Sequence, residues 1–165
     1  MTRIICPDQV AAFLNLIAIS EGTSTSVTTQ NDGYDVIVSG IDGAHTFTDY
    51  SAHPFAAGRA PIVVRKGPPP LHSTASGRYQ ITLPTWQYLT EVRQLTNFTP
   101  QSQDLAALAL LGECHALSAI IVGHIADAIE RAGATWASFP NNDYDQGGHS
   151  LEWLLEKYAL QLTSK

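Results

Sequence analysis

Glu21 is the residue of this chain whose type and position could do chemistry. It closes an apolar stripe, Val10, Phe13, Leu14, Ile17 and Ala18, spaced three and four apart as one face of a helix. Gly22 follows it and suits the left-handed position just past a helix end. A carboxyl at the lip of a buried helix is partly desolvated, which raises its pKa and keeps some of it protonated near neutrality. A protonated carboxyl in a cleft is what general-acid cleavage of a glycosidic bond requires. The ordinary alternative is an exposed helix-end glutamate, and Glu21 alone does not decide between the two.

Two further strings bear on that choice. In Ser73-Thr74-Ala75-Ser76-Gly77-Arg78-Tyr79-Gln80, small residues run up to a glycine, then a cation, an aromatic ring and an amide. Backbone at Gly77 could approach a ligand closely, while Tyr79 and Gln80 offer a stacking face and a donor–acceptor pair, the combination that sugars want. The same string also reads as a glycine turn leading into a helix, with Tyr79 in the core. In Thr46-Phe47-Thr48-Asp49-Tyr50-Ser51-Ala52-His53-Pro54, Asp49 could be a second catalytic carboxylate and His53 a proton carrier. Asp49 could equally bond local backbone or hydroxyl groups in a turn ended by Pro54. Asp35, beside Tyr34, raises the same question.

The elements that must position these groups are legible in outline. Residues 8–21 form a first helix, with Pro7 near its start. Residues 22–80 are turn-rich and carry short strands at Tyr34–Val38, His45–Tyr50 and Ile62–Val64, enough for a small β-wing or hairpin region. Pro68-Pro69-Pro70 reads as a stiff extended loop. From residue 81 the chain is helical. Pro84 fits a first turn, followed by an apolar face of Trp86, Leu89, Val92 and Leu95. Thr99-Pro100 is an N-cap and N1 pair, followed by Leu105, Leu108, Ala109 and Leu111. Another helix covers about Leu117 to Arg131, with a break at Gly123. The last starts at Ser150 and lines up Leu151, Leu154, Leu155, Tyr158 and Leu162. Trp86 and Trp136 read as core, since each lies in an apolar helical context. The fold class is α+β: a mostly helical lobe, a small β-hairpin lobe, and a cleft between them as the natural ligand site.

Composition narrows the partners. With 165 residues, 44% of them hydrophobic, the chain is expected to be one domain, residues 1–165, with a core that needs no metal or disulfide. The net charge of −6 argues against general nucleic-acid binding, because phosphate contacts need clustered Lys and Arg. Arg65-Lys66 is the only adjacent basic pair. Cys6 and Cys114 fit no metal spacing and read as free thiols rather than a disulfide. The six histidines form no HxxxH pair, so neither metal nor cofactor is expected. No segment reaches the ~18 apolar residues of a membrane span. Asp8, Gln9 and Asn15 interrupt the N-terminal apolar run, so the chain reads as lacking a secretion signal.

Taken together, the strings resemble the phage lambda-type endolysins, a lysozyme-like family of lytic transglycosylases. The matching segments are Ser20-Glu21-Gly22-Thr23, Gly33-Tyr34-Asp35-Val36-Ile37-Val38, Phe47-Thr48-Asp49-Tyr50-Ser51 with His53-Pro54, Ser73-Thr74 with Gly77-Arg78-Tyr79-Gln80, Phe98-Thr99-Pro100 with Ser102-Gln103-Asp104, and Trp136-Ala137-Ser138 with Pro140. They occur in family order over about residues 10–160. The chain differs from the family pattern between Gly40 and Phe47, in Ala56–His72 and after Trp153.

The resemblance implies cleavage of the β-1,4 bond between N-acetylmuramic acid and N-acetylglucosamine without net addition of water, giving a 1,6-anhydro product. It implies Glu21 as the catalytic acid, with Gly77, Tyr79 and Gln80 lining the glycan groove and Tyr144 and Gln146 on a loop facing it. Asp35 and Asp49 are the remaining acids expected near substrate. Between Glu21 and Asp32 there is no other acid, which agrees with a one-acid scheme, whereas paired-carboxylate glycosidases place a second acid ~5–9.5 Å away. Hydrolytic phage lysozymes have an aspartate and a threonine soon after their glutamate; here the stretch reads Thr28, Thr29, Gln30. Asp35 leaves hydrolysis open, and a catalytically inactive, glycan-binding phage protein is the alternative from another class, against which the retention of Glu21 in its motif argues. The resemblance further implies a monomer that accumulates in the host cytoplasm and reaches the wall after a holin partner opens the membrane, without stable membrane association.

Overall fold

The first helix, α1 (Asp8–Ser20), begins after Pro7, with Asp8 in its first turn where a negative charge favours the helix dipole. Seven apolar residues of α1, including Phe13, Leu14, Leu16 and Ile17, are buried, so the helix is enclosed on nearly every side rather than along one stripe. Glu21 is its C-cap and Gly22 follows at φ +70°. In the computed structural model, residues 1–140 and 148–163 are described here.

The chain groups into two compact units. The first comprises Met1–Glu21 and the chain from Ala107 onward; the second is Gly22–Ala106.

The first unit is helical. It holds the end of α3 (Pro100–Glu113), then α4 (Ala116–Ile121), α5 (Ile125–Ala132) and α6 (Leu151–Thr163). Gly123, at φ +83°, separates α4 from α5, as expected from the sequence. Helix α1 packs against α4 and α6, and α5 also touches both. Phe13 meets Phe139 edge-on at 5.9 Å and Tyr158 at 6.2 Å. Full burial of such side chains is worth about 1.5–3 kcal/mol each. On α6 only Leu154 and Tyr158 are buried; Leu162, expected on the same face, is exposed. Cys6 and Cys114 are half-buried and are not joined in a disulfide.

The second unit carries two antiparallel two-stranded sheets, β1 (Val36–Gly40) with β2 (Gly43–Thr46), and β3 (Ile62–Arg65) with β4 (Leu71–Ser73). Val36 pairs with Thr46 and Ile62 with Ser73. Residues 47–50, read as strand, lie beyond β2, and β4 was not anticipated. Segment 75–81 lies along β1: Val38 N–H donates to the Ala75 carbonyl at 3.0 Å and Gly77 N–H to that of Val36 at 2.7 Å. Pro68–Pro69 carries a cis peptide bond.

Helix α2 (Leu83–Arg93) is capped by Thr82, whose hydroxyl accepts from Thr85 N–H, with Pro84 in the first turn. Its Trp86 and Leu89 are buried but Val92 is exposed. Trp86 stands edge-on to Phe98 at 4.7 Å. Helix α3 starts as expected, with the Thr99 hydroxyl accepting from Ser102 N–H at 3.4 Å. Its buried side, however, is Gln103, Asp104, Ala106, Ala107, Leu110 and Leu111, and Leu105 is exposed.

Candidate active site

In the first unit, Glu21 is half-buried at the end of α1, and its Oε1 accepts a hydrogen bond from the Ser138 hydroxyl at 2.6 Å. Burial pushes its carboxyl above the ordinary value, and hydrogen bonds from the Ser138 hydroxyl and backbone pull the other way without cancelling the rise. The group therefore keeps its proton to higher pH than a free glutamate, as a general acid must.

Ser138 belongs to the string Trp136-Ala137-Ser138, in which nothing in the sequence marks it for a role. It lies in the turn after α5, where Trp136 N–H donates to the Ala132 carbonyl at 3.0 Å and Phe139 N–H to that of Trp136 at 3.0 Å. Trp136 and Phe139 are buried, and the edge contact of Phe139 with Phe13 ties the turn to α1. His149 closes the arrangement. Its backbone N–H donates to the Ser138 carbonyl at 2.9 Å and its Nε2 lies 3.2 Å from the Ser20 carbonyl. A carbonyl only accepts, so Nε2 carries the proton. The imidazole stacks on Trp153 at 3.8 Å and 12°, with the Lys157 ammonium 5.5 Å from the indole centroid. No residue type in this cluster announces itself; a serine and a histidine 117 and 128 positions after Glu21 are visible only once folded.

In the second unit, Asp35 is buried and committed to its own loop. Oδ1 accepts from the Thr29 hydroxyl at 2.5 Å and Oδ2 from Gln30 N–H at 2.8 Å. Thr29 Oγ1 in turn accepts from Gly33 N–H at 2.7 Å, so the carboxylate closes residues 29–35 into a ring. Beside it lies a cavity of about 270 Å³ lined by Gln30, Asn31, Asp35, Thr46, Phe47, Thr48 and Tyr50. Asp49 is exposed; the Ser51 hydroxyl first, and then the Ser51 N–H, which donates to Oδ1 at 2.8 Å, hold its carboxyl below the ordinary range. That is the local-turn arrangement weighed from the sequence.

His53 does not face solvent. It is buried against Phe98 at 4.7 Å, with Nε2 3.0 Å from the Ile81 carbonyl and Nδ1 accepting from Phe55 N–H at 3.3 Å. Burial holds its pKa below the usual histidine range, against the pull of the Ile81 carbonyl. Both ring nitrogens are thus engaged with backbone, which leaves the proton-carrier reading without support.

Gly77, Tyr79 and Gln80 form one tight turn. Gly77 sits at φ +75°, and a Cβ there would collide with the Gln103 amide. Gln80 folds back, its Nε2 donating to the Gly77 carbonyl at 3.0 Å. Tyr79 is buried, and its hydroxyl donates to Asp104 Oδ1 at 2.6 Å, the oxygen that also accepts from Tyr34 at 2.7 Å. Burial, reinforced by Asp104, pushes both phenols well above the ordinary tyrosine value. The Tyr79 ring is part of the unit's interior here, the second of the two readings its string allowed. Arg78 pairs with Asp32 at 2.9 Å and bonds the Asp32 carbonyl, its guanidinium 5.1 Å above the Tyr34 ring. Tyr144 and Gln146 lie outside the described residues.

The fold is that of the lysozymes. It superposes on bacteriophage lambda lysozyme complexed with a chitohexasaccharide at a TM-score of 0.85, with 38% identity and 96% of each chain covered. A second structure of lysozyme from bacteriophage lambda gives a TM-score of 0.80 at 36% identity, again over 96% of each chain. Residues 11–164 match the Endolysin family, and the chain belongs to it, an enzyme family acting on peptidoglycan. Among its relatives are the endolysin of Escherichia phage P2, 48% identical over 88% of each chain, and that of Escherichia phage lambda, 40% identical over 92% of this chain and 89% of the other.

Proposed function

We propose that the protein is a lytic transglycosylase that cleaves the β-1,4 bond between N-acetylmuramic acid and N-acetylglucosamine in peptidoglycan, with Glu21 as acid and then base. Glu21 gives its proton to the leaving oxygen as the C1–O bond breaks. The substrate's N-acetyl oxygen supports the positive charge at C1. The carboxylate then takes the proton of the muramoyl C6 hydroxyl as that oxygen bonds C1, which closes the 1,6-anhydro ring and returns Glu21 to its starting state. The observation that carries this reading is the half-buried, proton-retaining carboxyl of Glu21 bonded to Ser138. The chitohexasaccharide held by the lambda lysozyme of the same fold supports a β-linked amino-sugar chain as substrate.

Hydrolysis by water, a muramidase activity, is the second reading. It needs a second acid to activate that water, and Asp35 has both oxygens occupied within its own loop, which favours the transglycosylase. Mass spectrometry of muropeptides released from purified peptidoglycan tests the choice. We expect products one water lighter than hydrolysis products, without a reducing muramic end; reducing ends would make the enzyme a muramidase. Asp35→Asn is expected to keep turnover within about tenfold of wild type, since a general base normally contributes 10²–10⁴-fold. A larger loss in a folded variant would restore Asp35 as a base.

Among the described residues no helix is long and apolar enough to cross a membrane. We further propose that the enzyme acts as a monomer, accumulates in the host cytoplasm and depends on a holin to reach the wall.

A further inference from the structure

A group that is an acid in one half of a reaction and a base in the other needs neighbours that can bond both of its forms. We propose that Ser138 is a positioning residue that stays bonded to Glu21 in both protonation states by turning its hydroxyl proton between Glu21 and Ser20. The inference rests on the acid–base role proposed above.

Three consecutive distances carry it. Ser138 Oγ is 2.6 Å from Glu21 Oε1 and 3.0 Å from Ser20 Oγ. The Ser20 hydroxyl is itself 2.9 Å from the Ile17 carbonyl, which can only accept, so the Ser20 proton is committed there. Ser20 Oγ therefore presents lone pairs, and no proton, to Ser138. A hydroxyl has one proton and two lone pairs, and Ser138 cannot donate to both neighbours at once.

Two states follow. With Glu21 ionised, Ser138 donates to Oε1, a charge-assisted bond. In the resting enzyme, with the proton on Oε1, Glu21 donates to Ser138 Oγ and Ser138 donates to Ser20; once the leaving oxygen has taken that proton, Ser138 turns back to the carboxylate. The change needs only rotation about the Ser138 Cβ–Oγ bond; no heavy atom moves. The frame is fixed on both sides, since Ser20 is 7% exposed at the end of α1. The Ser138 carbonyl accepts from His149 N–H at 2.9 Å, and the His149 ring bonds the Ser20 carbonyl at 3.2 Å.

The two serines support opposite forms of Glu21, and that gives a test a merely structural role would not satisfy. The Glu21 carboxyl is titrated by carbon-13 NMR in the full-length protein, as wild type, Ser138→Ala and Ser20→Ala. Removing Ser138 deletes the donor to the carboxylate, and the Glu21 pKa is expected to rise by about one unit. Removing Ser20 deletes the acceptor that serves the protonated form, and the pKa is expected to fall by about half a unit. On purified peptidoglycan, Ser138→Ala is expected to lose about ten- to a hundredfold in kcat with little change in KM, its alkaline limb moving upward. Ser138→Thr, which keeps the hydroxyl, is expected to restore both. Ser138→Cys, nearly isosteric with a weak donor, repeats the test should the alanine variant fail to fold. Shifts of the same sign in the two alanine variants, or none in either, overturn the proposal. A wild type that cleaves nothing overturns the proposed function instead, and the titration still decides the role of Ser138.

Discussion

Glu21→Gln is expected to lower turnover by at least about a thousandfold while leaving glycan binding within a few-fold of wild type, because general acid–base catalysis contributes 10²–10⁴-fold and here one group acts in both halves of the reaction. The amide keeps the shape of the carboxyl, and its oxygen can still accept from Ser138, so geometry survives and only the transferable proton is lost. Turbidity loss of purified cell walls, alongside a pull-down on the same material, reads the two effects separately. Near-normal turnover in the variant would remove Glu21 from the mechanism.

The same substitution is expected to stabilise the protein at neutral pH. Burial raises the Glu21 pKa above its ordinary 4.5. The folded state thus holds a proton over a range where the unfolded chain has released it. Its stability contribution is whole below about 4.5 and is lost as pH rises through the folded value. Glutamine has no charge to bury, so Glu21→Gln should melt above wild type at pH 7, and the gap should close toward pH 4. A gap that is constant with pH would assign it to packing instead.

The largest stability effect is expected at Gln103. This fully buried amide accepts from Arg78 N–H at 2.9 Å and donates to the Tyr34 and Phe98 carbonyls at 3.0 and 2.9 Å. Leucine fills similar space but satisfies none of the three. Each buried backbone group left unpaired costs about 1–3 kcal/mol, so the three together set a range of about 3–9 kcal/mol, and local relaxation keeps the expected cost of Gln103→Leu at its lower end, about 3–5 kcal/mol. For a chain of this size that is a fall in Tm of roughly 6–20 °C. Chemical denaturation followed by tryptophan fluorescence measures it; a loss below about 1 kcal/mol would mean that water or backbone movement replaces the amide.

Gln103 also marks where the sequence stopped being informative. The start of α3 was legible because Thr99-Pro100 is a local signal, but its buried face was not. Apolar spacing favours Leu105 and Leu108, whereas the fold buries Gln103 and Asp104 because their partners, Tyr34, Arg78 and Tyr79, lie 25 to 70 residues away. Pattern reading ranks a side chain by its own polarity and cannot see a distant group that satisfies it. Helix α1 shows the opposite case, since its periodicity, its proline and the glycine after Glu21 all act within one segment, and its bounds came out within a residue. Strand β4 has three residues, too few for alternation to show. Ser138 carries no local signal in the sequence, since only the folded turn after α5 brings its hydroxyl to Glu21.

The stacked pair of His149 and Trp153 gives the molecule a light signal of its own. A ring in face contact with an indole alters how the indole's excited state decays, so the stack and the emission change together. Because the same imidazole grips the Ser20 carbonyl next to Glu21, emission from Trp153 would brighten or dim as that grip forms or lets go. A substrate that disturbs the end of α1 would then be visible in an ordinary fluorimeter, with no label attached.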